Sequence, residues 1–155
     1  MNQIRCICFR TPPRLTDYGK EYADSSIKNQ GMILQSAMTY ILIFLAGGLG
    51  SLLRYVIGLA LPSSFFPWTT LGINVIGSFA IGLVGGLGSR VGWSESLQLA
   101  LTVGFCGGFT TFSTFSKEAL SLATTGRWGA FSLYVIGSIV LGLAATAVGF
   151  MCSRG

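Results

Sequence analysis

Four long apolar stretches dominate this sequence and constrain what it can fold into. They run from Met38 to Leu61, from Thr70 to Leu87, from Leu97 to Ala123 and from Ala130 to Met151. A helix needs about 20 apolar residues to cross the hydrocarbon of a bilayer. Only 10% of the residues are charged, whereas soluble domains carry roughly 25%. The sequence therefore predicts an all-α integral membrane protein with four transmembrane helices.

The segments between these stretches are short and rich in helix breakers. Pro62 and Pro67 bracket the first loop, residues 88–94 form the second, and residues 125–127 form the third. Connections of this length make neighbouring helices antiparallel. They leave no room for a further domain outside the membrane.

The first 36 residues differ in character from the rest. They are polar and contain no apolar run of signal-peptide length. We expect this segment to be a disordered leader, or an over-long start that precedes Met32 or Met38. Residues 37–155 would then form the transmembrane domain.

The formal charge of +5 does not indicate nucleic-acid binding. Five basic residues lie in the leader, and the later ones are single and flank the spans. Such isolated charges set the orientation of membrane helices, and no basic face exists that could follow a phosphate backbone.

The chain lacks the groups that an enzyme needs. It has no histidine, and its only carboxylates beyond the leader, Glu95 and Glu118, lie near span ends without a partner that would form a catalytic pair. The serines and threonines have no base beside them. All four cysteines are interpreted as unpaired: Cys6, Cys8, Cys106 and Cys152.

The third span combines glycines with hydroxyl residues. Gly104, Gly107 and Gly108 precede a run that contains Thr110 and Thr111. This composition disfavours a continuous helix and predicts a break in mid-membrane, where irregular backbone must be buried or line a wet cavity. A close-packed glycine patch, with hydroxyls bonded back to the helix, is the alternative.

Polar residues within the spans favour an anion over a cation. Asn74 offers amide donors and Arg54 a positive charge, whereas no carboxylate lies in the middle of a span. Each also has a structural interpretation, as an asparagine that joins helices or an arginine that snorkels. Phe112 and Phe115 share a helix face, and their ring edges could contact an anion, although spacing alone favours ordinary packing.

Three motifs carry a resemblance to a known family. They are Gly47-Gly48-x-Gly50 with Arg54-Tyr55, Gly72-x-Asn74-x-x-Gly77-Ser78-Phe79, and the unbroken run from Gly104 to Phe115. On these motifs the chain resembles the CrcB/Fluc family of fluoride channels. The match extends from about Met38 to the C-terminus and leaves out the leader.

The resemblance implies an antiparallel, dual-topology homodimer in the cell membrane, surrounded by lipid, that exports fluoride passively through two pores and so lowers its toxicity. Gly107 and Thr110 would hold a structural sodium ion at the dimer centre, through backbone carbonyls from both subunits. The fluoride pathway would comprise Asn74, Arg54, Phe112, Ser113, Thr114, Phe115, Tyr134 and Ser138. Members of the family often carry further hydroxyls deeper along the fourth helix, where this chain has Gly142 and Ala144.

Other membrane functions remain as alternatives. Small multidrug exporters also have four helices, but they need a glutamate in the first helix, and no acidic residue lies between Gln30 and Arg90. A purely structural subunit would not explain the glycine and threonine cluster of the third span. Spacing alone does not separate a channel from a proton-coupled fluoride carrier.

Overall fold

The structure is a computed structural model that describes residues 15–62 and 65–154, with side chains from residue 26 onward. These residues form helices and no strand. Four helical segments are long and apolar enough to cross a membrane: Ser26–Ala60, Trp68–Val91, Glu95–Thr124 and Trp128–Arg154. This confirms the predicted all-α fold with four spans. The individual elements are α1 (Leu15–Ala60), α2 (Trp68–Val91), α3 (Glu95–Leu99), a π-helix (Ala100–Cys106), α4 (Gly107–Phe109), α5 (Phe112–Thr124) and α6 (Trp128–Arg154).

Contacts divide the chain into two units, Met1–Ala37 and Met38–Gly155. In the first unit, residues 15–37 are helical and the side chains of residues 26–37 are exposed. Residues 15–36 of the segment predicted to be a disordered leader or an over-long start are helical. The Lys, Glu, Ala and Gln residues of this segment favour helix. Residues 1–14, with Cys6 and Cys8, lie outside the described residues.

Two glycines end helices in the second unit where the sequence predicted turns. Gly92 follows α2 with a φ of 72°, and Gly126 follows α5 with a φ of 74°. This left-handed region is open to glycine at little cost. The next helix after Gly92 begins at Ser94, whose side chain accepts a hydrogen bond from the Leu97 N–H.

Glycines let α1 approach the π-helix and α4 at backbone distance. A Cβ added at Gly50 would overlap the carbonyl oxygen of Phe105, and one added at Gly108 would overlap the carbonyl oxygen of Gly47. Small residues at such crossings allow close van der Waals packing, which drives helix association in lipid. The glycine motifs of the first and third spans therefore pack against each other.

Helices α2 and α6 pack closely in the same manner. A Cβ at Gly82 would overlap the Thr146 carbonyl, and a Cβ at Gly149 would overlap the Phe79 carbonyl. Arg90, near the end of α2, donates to the Ser153 carbonyl at 3.4 Å. These contacts fix the register of the two helices along most of their length.

The third span is not a uniform helix. A π-helical segment, which the sequence did not predict, leads into α4, and α4 ends at Phe109. Thr110 (φ −80°, ψ 161°) and Thr111 (φ −150°, ψ 116°) are extended before α5 begins at Phe112. π-Helical segments are often found at functional sites.

The core of the bundle is small and lies at one end. Its main cluster consists of Phe66, Leu71, Ala119, Leu122 and the fully buried Tyr134, and Ile73, Ala100, Cys106 and Phe109 are buried outside this cluster. Many large apolar side chains on α1 and α6 are exposed, including Phe44 and Leu143. A surface of this kind suits contact with lipid or with another apolar surface. Cys106 and Cys152 are unpaired, as expected.

Candidate functional site

Asn74 and Thr111 form a pair at the interruption of the third span. The Asn74 side-chain amide donates to the Thr111 carbonyl at 3.1 Å, and Asn74 Oδ1 accepts from the Thr111 N–H at 2.8 Å. The side chain thus bonds the extended backbone as a neighbouring strand would. One amide hydrogen of Asn74 remains for another acceptor.

This pairing changes which carbonyls of the third span are free. In a continuous helix the Thr111 N–H would donate to the Gly107 carbonyl, but here it donates to Asn74. The Thr114 N–H, which would donate to the Thr110 carbonyl, is bonded instead to the hydroxyl of Thr111 at 3.2 Å. Gly107 and Thr110 are therefore two of the carbonyls that lose their helical donors at the interruption. Neutral oxygens freed in this way suit a cation such as sodium.

The neighbouring Gly108 carbonyl is satisfied by α1. Arg54 Nε donates to it at 3.2 Å and the Ser51 hydroxyl donates at 3.3 Å. Arg54 thus lies against the interruption, and its charge stabilises a carbonyl that the helix itself does not use.

A cavity of about 260 Å³ opens beside the interruption. No charged side chain from the described residues lines it, and its polar groups are an amide, hydroxyls and backbone. Such a wall offers hydrogen-bond donors without a carboxylate that would repel an anion. The lining residues are Asn74, Gly77, Ser78, Ile81, Cys106, Gly107, Thr110, Thr111 and Phe112.

The two predicted aromatic contacts are neighbours with different surroundings. The rings of Phe112 and Phe115 are 5.6 Å apart between centroids. Phe112 is 79% exposed, whereas Phe115 packs against the core with its ring 5.1 Å from that of Tyr134. Phe112 therefore lines the cavity with most of its side chain exposed, and the ring of Phe115 lies between those of Phe112 and Tyr134.

Glu118 forms a hydrogen-bond network that the sequence did not indicate. Glu118 accepts from the Tyr134 hydroxyl at 2.7 Å and from the Thr70 hydroxyl at 2.9 Å. It lies three residues after Phe115 and is half-buried, although the sequence placed it at a span end without partners. The spacing from Phe115 would have put it on that same helix face. The only hydrogen of the Tyr134 hydroxyl is used in this bond.

A second cavity, of about 300 Å³, is lined by Arg54 and Glu118. Thr114 lines it, and Thr111 lines both cavities, so the interruption separates them. Ser113 is exposed and its hydroxyl lies 3.3 Å from that of Thr111.

The last two predicted pathway residues lie on α6. Tyr134 is fully buried, and the Ser138 hydroxyl one turn later is buried without a partner among the described residues. A buried hydroxyl of this kind is costly unless something bonds to it. Ser138 therefore keeps a donor available inside the bundle.

Together these features define a class of protein. It is a small multi-pass membrane protein whose interrupted third span lies between an uncharged, donor-lined cavity and a second cavity with a partnered carboxylate. The family model described as "CrcB-like protein, Camphor Resistance (CrcB)" matches residues 41–150. The chain belongs to this CrcB-like family.

Curated relatives share this family. A "fluoride-specific ion channel FluC" of Phocaeicola vulgatus is 44% identical over 117 residues, which are 74% of this chain and 97% of the relative. Proteins of the same name from Bacteroides fragilis (48% identical over 115 residues; 70% of this chain, 91% of the relative) and Thermus thermophilus (46% over 114 residues; 72% and 91%) are also similar.

Proposed function

We propose that this protein is a fluoride-selective ion channel that exports fluoride from the cytoplasm by passive conduction. The observation that carries the proposal is the cavity at the interruption of the third span. Its wall offers an amide, hydroxyls and an aromatic ring and contains no carboxylate. The names of the relatives support the same substrate.

The chemistry of fluoride fits such a wall. Fluoride is small and strongly hydrated, so a pore must replace its water with several donors and still bind weakly enough for release. Three groups offer fluoride contacts of moderate strength. They are the free amide hydrogen of Asn74, the Ser138 hydroxyl, which has no partner among the described residues, and the edge of the exposed Phe112 ring. Arg54, Ser113, Thr114, Phe115 and Tyr134 complete the proposed pathway.

The proposed assembly is an antiparallel, dual-topology homodimer with two pores in the plasma membrane. The cavity is open on one side, and the exposed face of α5 carries Ser113, Ser116 and Lys117. Polar groups on a membrane span are costly against lipid, so a second copy of the chain is a suitable cover. The interruption at Thr110 and Thr111 then lies in mid-membrane, where the partner shields it.

A structural sodium ion belongs to this proposed dimer. The Gly107 and Thr110 carbonyls fit it, because Asn74 and Thr111 take the donors that these carbonyls would otherwise have. Sodium accepts neutral oxygen ligands, so no acidic side chain is needed.

Fluoride efflux from liposomes tests the proposal. Liposomes that contain the purified protein should release fluoride when a potassium ionophore permits compensating charge movement, and chloride-loaded liposomes should release far less. Efflux that persists without charge compensation but follows an imposed pH gradient would indicate a proton-coupled carrier. Release no faster than from protein-free liposomes would refute fluoride transport altogether.

A further inference from the structure

The hydroxyls of α6 leave a gap on the helix face that carries Ser138. Tyr134 bonds to Glu118, and the Ser138 hydroxyl is buried with no partner in the part of the chain that the structure describes. One turn further the chain has Gly142, which has no side chain. Another turn on, the Thr146 hydroxyl bonds back to the Gly142 carbonyl at 3.0 Å and is occupied. At the level of Gly142, α6 therefore supplies no side-chain donor.

Ser78 on α2 lies opposite this gap. A Cβ added at Gly142 would meet the Ser78 hydroxyl oxygen at 3.6 Å, so this oxygen lies where a side chain at position 142 would begin. Ser78 also follows Asn74 by one turn of α2 and lines the same cavity as Asn74 and Phe112. Its hydroxyl forms no hydrogen bond with any residue that the structure describes.

The position of Ser78 is fixed by its surroundings. One turn further along α2, Gly82 packs against the Thr146 backbone, and Gly149 packs against the Phe79 backbone. The backbones of α2 and α6 are therefore in close van der Waals contact at this level. Rotation about the Cα–Cβ bond is then the main freedom left to the hydroxyl, and a hydroxyl can turn its hydrogen toward an anion in the cavity.

We propose that Ser78 is an anion-binding residue of the pathway, and that it supplies from α2 the hydroxyl that α6 lacks at Gly142. This inference rests on the proposed fluoride conduction and adds a specific donor to it. An anion that moves along α2 from Asn74 meets the Ser78 hydroxyl one turn further, at the level of Gly142, which lies one turn beyond Ser138 on α6. At this level the series of hydrogen-bond donors along the proposed pathway passes from α6 to α2.

Two substitutions, one on α2 and one on α6, test whether Ser78 supplies the hydroxyl that is missing at position 142. Ser78→Ala should lower fluoride efflux about tenfold or more, the loss expected for one hydrogen bond to an ion. Adding Gly142→Ser should restore most of the flux, because its Cβ has ordinary contact space and its hydroxyl enters the same gap. Gly142→Ala added to Ser78→Ala is the matched control, and it should restore nothing because it fills the space without a donor.

The outcomes separate this inference from the proposed function. Wild-type protein that fails to conduct fluoride would refute the function itself. Wild-type conduction with unchanged flux in Ser78→Ala, or equal rescue by Gly142→Ala and Gly142→Ser, would refute the role of Ser78. Size-exclusion elution at the wild-type position shows that each variant is folded, so that a loss of flux reports on the hydroxyl.

Discussion

Asn74 acts on the backbone as well as offering a donor to the cavity. Both its amide oxygen and one amide hydrogen bond to Thr111, which leaves a single hydrogen toward the open side. The two interpretations that the sequence left open, a donor to an anion and a link between helices, are therefore compatible in one side chain. The link also holds Thr111 extended, and so keeps the Gly107 carbonyl free of its helical donor.

Substitution of Asn74 should impair conduction in two distinguishable ways. Asn74→Ala removes both bonds to Thr111 and should cost about 1–3 kcal/mol of stability in addition to flux. Asn74→Asp keeps an acceptor for the Thr111 N–H. Its second carboxylate oxygen, however, would face and repel the Thr111 carbonyl oxygen, and it places a negative charge on the anion path. We expect its flux to be as low as that of the alanine variant or lower. Liposome efflux and thermal melting in detergent measure the two effects, and wild-type flux in Asn74→Asp would remove Asn74 from the path.

The aromatic pair should affect flux without disrupting assembly. Phe112→Ile and Phe115→Ile remove the ring edges proposed to face the anion, so both should lower fluoride efflux while the dimer stays intact. Phe112 is exposed, so its variant should melt like the wild type, whereas Phe115→Ile should also lose about 1 kcal/mol because it packs on the core. Phe44→Ile is the matched control, since Phe44 is equally exposed and lines none of the described cavities. Unchanged flux in both ring variants would exclude the aromatic contacts.

At the scale of elements, glycine contacts join α1 to the third span. Gly50→Ala should destabilise the protein by about 1–3 kcal/mol, because its Cβ would collide with the backbone at Phe105 and Phe109. Gly48→Ala on the same helix has nothing within 4 Å and should be neutral or slightly stabilising. Thermal melting of both variants in one detergent checks the contrast. Equal melting temperatures would show that this crossing does not contribute to stability.

The sequence predicted the elements better than their interactions. Apolar length located all four spans, because crossing a bilayer demands it whatever the tertiary contacts are. The glycines and threonines of the third span indicated irregular backbone there. The π-helix was missed since it depends on packing, and the bonds to Glu118 were missed since they join residues 48 and 16 positions apart.

The proposed sodium ion should link two subunits. Removing sodium should lower fluoride flux and shift the dimer toward monomer, because the freed Gly107 and Thr110 carbonyls would face one another without a cation between them. Exchange of sodium for a large organic cation, followed by efflux and size-exclusion measurements, checks this. Potassium is an informative comparison, since a fixed cage of oxygens selects by size. Full activity after exhaustive exchange would contradict a structural sodium.

The orientation of the chain in the membrane depends on the basic residues that flank its spans, and these are few. Arg90 and Arg154 lie at the end of the bundle where α2 and α6 terminate, and Arg90 contacts Ser153 there. Arg127 and Lys117 belong toward the other end, where Arg127 also bonds to the Phe65 carbonyl and lies over its ring. Basic residues favour the cytoplasmic side, so a nearly even count gives that rule little to act on. A chain that begins near Met32 or Met38 should therefore insert in both orientations.

The leader changes that balance. It adds five basic residues on the side of the termini: Arg5, Arg10, Arg14, Lys20 and Lys28. The full chain should then insert mainly with its termini inside, which would deplete one orientation of an antiparallel dimer and lower fluoride resistance. Labelling of single cysteines engineered in the first and second loops of intact cells, with the native Cys6, Cys8, Cys106 and Cys152 first replaced, measures both orientations. The short chain should be labelled at both loops from outside, and the full chain mainly at the first. Labelling of the short chain at one loop only would refute dual topology, because every molecule would then share one orientation.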